Sequence, residues 1–127
     1  MGTALTIAVK RIHEPVGPGD GARFLVDRLW PRGVSKETAA LAAWLKPLAP
    51  SDALRKRYHG ETADSDIAWD EFRRDYCTEL DVGGEDMRAA LFVLDAATDA
   101  GPVTLLYAAK SAERNNAVAL KQWLERR

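Results

Sequence analysis

Three short stretches of the chain carry the hydrophobic pattern of β-strands. Residues 5–10 (LTIAVK) alternate apolar with polar side chains, which predicts a first strand that runs into Lys10 and Arg11. A short apolar run around Phe24–Val26 predicts a second, buried strand. Residues 103–107 (VTLLY) form the clearest of the three predicted strands.

The spacing of apolar residues becomes helical between the second and third predicted strands, and again after the third. Serine residues that can cap helices precede most of these segments. The helices are predicted to follow Ser35 (as far as Leu45), Ser51, Ser65 or Asp66, Gly83–Gly84 and Ser111. Strands that are separated by helices predict an α/β fold: a small, mainly parallel sheet of three or more strands with helices on both faces.

The composition is that of a globular protein that folds as one domain over residues 1–127. Of the 127 residues, 46% are hydrophobic and 29% are charged, and the net charge of -1 gives no overall attraction to nucleic acid. Cys77 is the only cysteine, which predicts a reducing compartment and no disulfide. No apolar stretch is long enough to span a membrane, so a cytoplasmic protein is expected.

Basic and amide side chains follow all three predicted strands. In open parallel sheets, ligands bind outside the carboxyl ends of the strands, so these groups are expected to meet at one edge. The predicted anion site consists of Lys10, Arg11, Arg28, Arg32, Lys110, Ser111 and Asn116, with Asp27 at its floor. Arginines, amides and the free N–H groups of a helix that begins at Ser111 suit a phosphate or carboxylate ligand.

Each of these side chains also has a structural interpretation. Lys10 and Lys110 are typical of solvated strand ends. Arg28 can stack on Trp30 or pair with Asp27. Asp27 is a candidate general base, and it is equally a candidate for holding a loop by accepting backbone N–H bonds.

The remaining reactive residues give no further site. His13 and His59 lack the spacing of metal ligands, and no metal site is predicted. Cys77 lies at helical spacing among aromatic residues, which favours a structural role. The sequence lacks the glycine-rich phosphate-binding and nucleophile-elbow motifs, and it indicates no cofactor.

Several segments together resemble a known family. VDRLWPRGVSKE, from Val26 to Glu37, is the most specific of them, and AAWLKPLAPSDALRKRYH, FRRDY and VTLLYAAKSAERNNAVALKQWL follow in order. They are similar to the YeaO-like branch of the bacterial domain-of-unknown-function 488 family, over about residues 7–124. The resemblance implies a small bacterial α/β domain and no particular reaction.

Three functions are compatible with these residues. The first is binding, with or without catalysis, of a small anionic molecule such as a nucleotide or sugar phosphate. The second is nucleic-acid association through the same basic edge, with Trp30 as a stacking surface. The third is a partner-binding role for Trp30 and Pro31. The sequence does not decide the oligomeric state.

Overall fold

The computed structural model describes residues 6–58 and 65–127, and within these ranges four strands form one parallel sheet. The strands are β1 (Ile7–Arg11), β2 (Ala22–Leu25), β3 (Ala43–Trp44) and β4 (Val103–Tyr107). Their order across the sheet is β1-β4-β2-β3. The predicted α/β class and the parallel sheet are therefore confirmed.

The register places the carboxyl ends of three strands side by side. β1 pairs with β4 from Ile7↔Val103 to Arg11↔Tyr107, and β2 pairs with β4 from Ala22↔Val103 to Leu25↔Leu106. All five residues of β4 are buried, as expected for a strand with neighbours on both sides. The segments that follow β2 and β4 consequently leave the sheet at the same edge.

Five α-helices and one short 3₁₀ helix complete the described part of the chain. Their bounds are α1 Lys36–Ala39, the 3₁₀ helix Lys46–Leu48, α2 Asp52–Arg57, α3 Asp66–Val82, α4 Glu85–Ala100 and α5 Asn116–Arg126. The predicted caps Ser35, Ser51 and Ser65 each accept a bond from a backbone N–H group in the first turn of their helix. None of the helices in the described ranges combines the length and the apolar character that a bilayer crossing requires.

The hydrophobic core of the described residues divides into two clusters, one on each face of the sheet. The larger cluster joins Phe24 and Leu105 to buried side chains of the 3₁₀ helix and of α2 to α5. The smaller cluster joins Leu25 and Leu106 to Ile12 and to Ala39 of α1. Consecutive strand residues thus point to opposite faces, and both faces are covered, as a parallel sheet requires.

Two predicted helices have different bounds in the structure. The helix after Ser35 does not reach Leu45: it ends at Ala39, and Ala40 adopts a left-handed conformation with φ 49°. The chain then joins the sheet as β3, where Leu45 N–H donates to the Leu25 carbonyl at 2.8 Å. The last helix does not begin at Ser111, because its cap is Asn115, which accepts a bond from the Val118 N–H group.

Candidate functional site

A cleft of about 430 Å³ opens at the carboxyl ends of β2 and β4. Its walls come from the segment after β2, the segment after β4, the start of α5, and the helices α2 and α3. We call it the arginine cleft, lined by Asp27, Arg28, Leu29, Trp30, Pro31, Pro50, Arg55, Tyr58, Ala68, Trp69, Phe72, Ala108, Ala109, Arg114, Asn115 and Asn116. Its position agrees with the sheet edge at which the sequence predicts a site.

Asp27 ties the segments after β2 and β4 to the start of α5. One carboxylate oxygen accepts the Ala108 N–H bond, and the other accepts a bond from the Asn116 side chain, both at 3.0 Å. The same Asn116 amide donates to the Val26 carbonyl at 2.9 Å. These contacts are those of a loop-holding aspartate, the structural alternative that the sequence left open.

The electrostatic environment of Asp27 combines burial with positive charge. Burial is the largest effect and raises the pKa of this carboxyl above its ordinary value. The bonds from Asn116 and Ala108 and the charge of Arg55 lower the pKa, without cancelling the effect of burial. Burial therefore destabilises the ionised form of Asp27, and a neighbouring cation reduces this destabilisation.

Arg28 lies between the cleft and the segment that leads into α2. Its Nε atom donates to the Pro50 carbonyl at 3.0 Å and lies 4.0 Å from a carboxylate oxygen of Asp52. Neither stacking on Trp30 nor pairing with Asp27, the structural alternatives that the sequence left open, is among its side-chain contacts in the described residues. Only Nε takes part in these contacts, and Arg28 lines the cleft.

Helix α2 and the residue that follows it bring Arg55 and Tyr58 to the cleft, and a glutamate of α3 holds the start of this helix. The Ser51 N–H group donates to Glu79 Oε1 at 3.0 Å, and the Ser51 hydroxyl donates to Glu79 Oε2. The Ser51 oxygen also accepts the Leu54 N–H bond that caps the helix. A short helix with so few residues depends on such anchoring for its position.

Arg114 lines the cleft just before the start of α5. Its guanidinium pairs with Asp66 at the first turn of α3, and its backbone N–H group donates to the Ser111 hydroxyl at 3.0 Å. The Ser111 carbonyl in turn accepts a bond from the Asn115 side chain. Ser111 therefore orders the turn before α5 instead of opening the helix.

The structure brings three of the predicted site residues together in the cleft: Asp27, Arg28 and Asn116. Lys10 instead donates to the Pro15 carbonyl and pairs with Asp20, and Arg11 donates to the Ala108 carbonyl at 3.4 Å. Arg32, Lys110 and Ser111 are exposed and do not line the cleft. The prediction that Arg28, Arg32 and Lys110 share one cleft therefore does not hold for Arg32 and Lys110.

The main cleft residues that sequence reasoning missed belong to helices α2 and α3 and to the turn before α5. The sequence offers Arg55 only within the basic run RKR, and Trp69 and Phe72 only as part of an apolar helical stripe. Cys77 lies on the same helix as Trp69, is partly buried and does not line the cleft. His59 lies outside the described residues.

No three His, Cys, Asp or Glu side chains within residues 6–58 and 65–127 come together as a metal site would require. The cleft is lined by three arginines, whose guanidinium groups bind anions through charge-assisted hydrogen bonds. The arrangement therefore suits a negatively charged ligand.

The fold and the cleft define a class: a small parallel α/β protein with a cleft at the carboxyl edge of its sheet. The chain belongs to the domain-of-unknown-function 488 family, since a family model described as the inactive DUF488-N3 subclade matches residues 6–127.

Relatives in several bacteria are similar over nearly the whole chain. The uncharacterised YeaO protein of Escherichia coli is 41% identical over 120 residues, which cover 94% of this chain and 97% of that protein. Uncharacterised proteins of Mycobacterium tuberculosis and Mycobacterium bovis are each 36% identical over 121 residues, or 95% of both chains. No solved structure matches the chain significantly.

Proposed function

We propose that this protein binds a small ligand with a phosphate or carboxylate group in the arginine cleft. The observation that carries the proposal is the environment of Arg55. This partly buried side chain lines the cleft, and it makes no hydrogen bond or ion pair with another residue in the described ranges. A guanidinium in such a position offers five N–H donors to an anion.

Two further features support an anion at this position. Arg28 contributes a second guanidinium from a different segment of the chain, so that one ligand can contact both. The start of α5, an eleven-residue helix, lies on the same cleft through Asn115 and Asn116. The positive end of the helix dipole adds to the attraction that the arginines provide.

The proposed role is binding without catalysis. Both carboxylate oxygens of Asp27, the candidate base, already accept N–H bonds that hold the walls of the cleft. The description of the matched family as an inactive subclade supports the same view. A cytoplasmic location, which the single cysteine favours, belongs to this proposal, and the ligand is then a metabolite of that compartment.

Titration of inorganic phosphate into the protein, followed by NMR chemical shifts, tests the proposal. Arg55→Gln removes the charge and keeps most of the side-chain volume. A charge-assisted hydrogen bond contributes about 1.5–3 kcal/mol, so we expect the dissociation constant to rise about tenfold or more. Arg32→Gln is the matched control, because Arg32 is exposed and does not line the cleft.

Two outcomes would contradict this expectation. Equal weakening by Arg32→Gln and Arg55→Gln would mean that phosphate senses only the net charge of the surface. Absence of phosphate-dependent shifts in residues of the cleft would contradict the proposed function itself.

A further inference from the structure

Three aromatic rings, two from α3 and one from the residue that follows α2, form one wall of the arginine cleft. Trp69 and Phe72 lie nearly parallel, with an interplanar angle of 15° and centroids 5.8 Å apart. Tyr58, the residue after α2, meets Phe72 edge to face at 5.7 Å. We call these three residues the aromatic wall.

The hydrophobic core covers the aromatic wall only in part. On the same stripe of α3, Tyr76 and Leu80 are buried, with exposed fractions of 0% and 3%. Trp69 and Phe72 are only partly buried, and the space in front of them is the cleft. Arg73 lies over the Trp69 ring, 5.5 Å from its centroid, and the ring surface that lines the cleft is available to a ligand.

The polar groups of Tyr58 and Trp30, which line the cleft, already bond to other residues of the protein. The Tyr58 hydroxyl donates to Asp75 at 2.9 Å, and the Trp30 indole N–H donates to the Val34 carbonyl at 2.7 Å. These two residues consequently offer the cleft mainly their apolar ring surface. A ligand portion that contacts them gains from stacking and burial more than from new hydrogen bonds.

Aromatic surface and cationic groups therefore occur within one cleft of about 430 Å³. Its volume lies within the range of about 300–1,000 Å³ that is usual for small-molecule sites. Arg55 and Tyr58 come from consecutive turns of the same short segment, so the two kinds of surface lie close together. One small molecule can contact both.

We propose that the ligand of the arginine cleft joins a planar aromatic ring to an anionic group, with the size and chemistry of a nucleoside monophosphate. The inference rests on the proposed function, because it assigns the anion to the arginines and the ring to the aromatic wall. A free mononucleotide is the occupant, since the ring and the anion must fit together in a cleft of this size.

Isothermal titration calorimetry with a matched set of probes tests the inference on the wild-type protein. AMP and UMP carry both parts, ribose 5-phosphate carries the anion alone, and adenosine carries the ring alone. Stacking of a base on an aromatic side chain is worth about 1–3 kcal/mol, so AMP should bind at least about fivefold more tightly than ribose 5-phosphate. Adenosine should bind less tightly than AMP.

Substitutions of Trp69 test whether the aromatic wall causes the tighter binding of AMP. Trp69→Leu should remove the advantage of AMP over ribose 5-phosphate, by lowering the affinity for AMP more than the affinity for ribose 5-phosphate. Trp69→Phe keeps a ring and should retain most of the advantage. Trp123→Phe is the matched control, because Trp123 lies on α5 outside the cleft and bonds to Asp81.

The outcomes separate this inference from the proposed function. Equal affinity for AMP and ribose 5-phosphate would overturn the aromatic ligand and leave the anion-binding function intact. No binding of any phosphate probe would overturn both. If a single-stranded oligonucleotide binds more than tenfold more tightly than the mononucleotides, the proposal of a free mononucleotide is wrong and the ligand is a nucleic acid.

Discussion

Asp27 gives the most direct test of how the floor of the arginine cleft is built. Its carboxylate accepts bonds from the Ala108 N–H group and from the Asn116 side chain. In Asp27→Ala, Asn116 keeps the Val26 carbonyl as a partner, whereas Ala108 N–H has no other acceptor among the described residues. Ala108 is partly buried, and a hydrogen bond to a charged group contributes about 1.5–3 kcal/mol, so we expect the free energy of unfolding to fall by up to that amount.

Asp27→Asn is the matched comparison, because it keeps the side-chain volume and an oxygen that can accept the Ala108 bond. One of the two bonds to the carboxylate is lost, while the charge that burial disfavours is removed as well. We therefore expect Asp27→Asn to change the free energy of unfolding by less than about 1 kcal/mol at neutral pH.

The pH dependence of this comparison reports the ionisation of Asp27. Burial raises the pKa of its carboxyl in the folded protein above the ordinary value of 3.8. The folded state then holds the proton more tightly than the unfolded chain does. The resulting stabilisation grows as the pH falls through the raised pKa and is lost as the pH rises. The wild-type protein should thus gain stability relative to Asp27→Asn on acidification.

Urea unfolding of all three proteins, followed by circular dichroism at neutral and mildly acidic pH, provides the measurement. The difference between the wild type and Asp27→Asn cancels the titration of the other acids among the 19 Asp and Glu residues. A difference that is independent of pH, or that favours Asp27→Asn on acidification, would refute a raised pKa. If Asp27→Ala is as stable as the wild-type protein, Asp27 does not hold the loops together.

Two further predictions concern the scaffold of the cleft, and urea unfolding measures both. Tyr76→Phe removes the fully buried hydroxyl that donates to the Leu48 carbonyl, so we expect a loss of about 1–3 kcal/mol; no loss would mean that water satisfies this carbonyl. Gly21→Ala places a methyl group 2.1 Å from the Pro102 carbonyl oxygen at φ +64° and should cost more than about 2 kcal/mol. Gly19→Ala, whose added carbon meets nothing within 4 Å, is its control, and equal effects of the two would contradict the steric argument.

Part of the cleft could be predicted from the sequence because the end of a strand fixes the residues that follow it directly. Asp27 and Arg28 follow β2 within three residues, and both line the cleft. Arg32 lies four residues further, within a turn in which Gly33 has φ +74° and Trp30 bonds to Val34. Over that distance the path of the chain depends on contacts between distant residues, so the predicted position of Arg32 is not met.

The residues that helices bring to the cleft could not be found in this way. Arg55 and Trp69 lie in separate helices, and their place beside the sheet edge depends on how those helices pack. The bond between Ser51 and Glu79 spans 28 residues of sequence and has no local signature. Periodicity identifies the apolar stripe of α3, but it does not show that the stripe passes from the core into an open cleft.

The sequence by itself determined the local features of this protein. Alternating and continuous apolar runs gave three of the strands, and Ser35, Ser51 and Ser65 were identifiable as caps because a serine oxygen satisfies N–H groups within its own first turn. The tertiary structure decided the central place of β4, the addition of β3 at the sheet edge, and the joining of arginines with aromatic rings in one cleft. Those features arise from contacts between residues far apart in the chain, whose free energy depends on the packing of the whole fold and leaves no trace in any single segment.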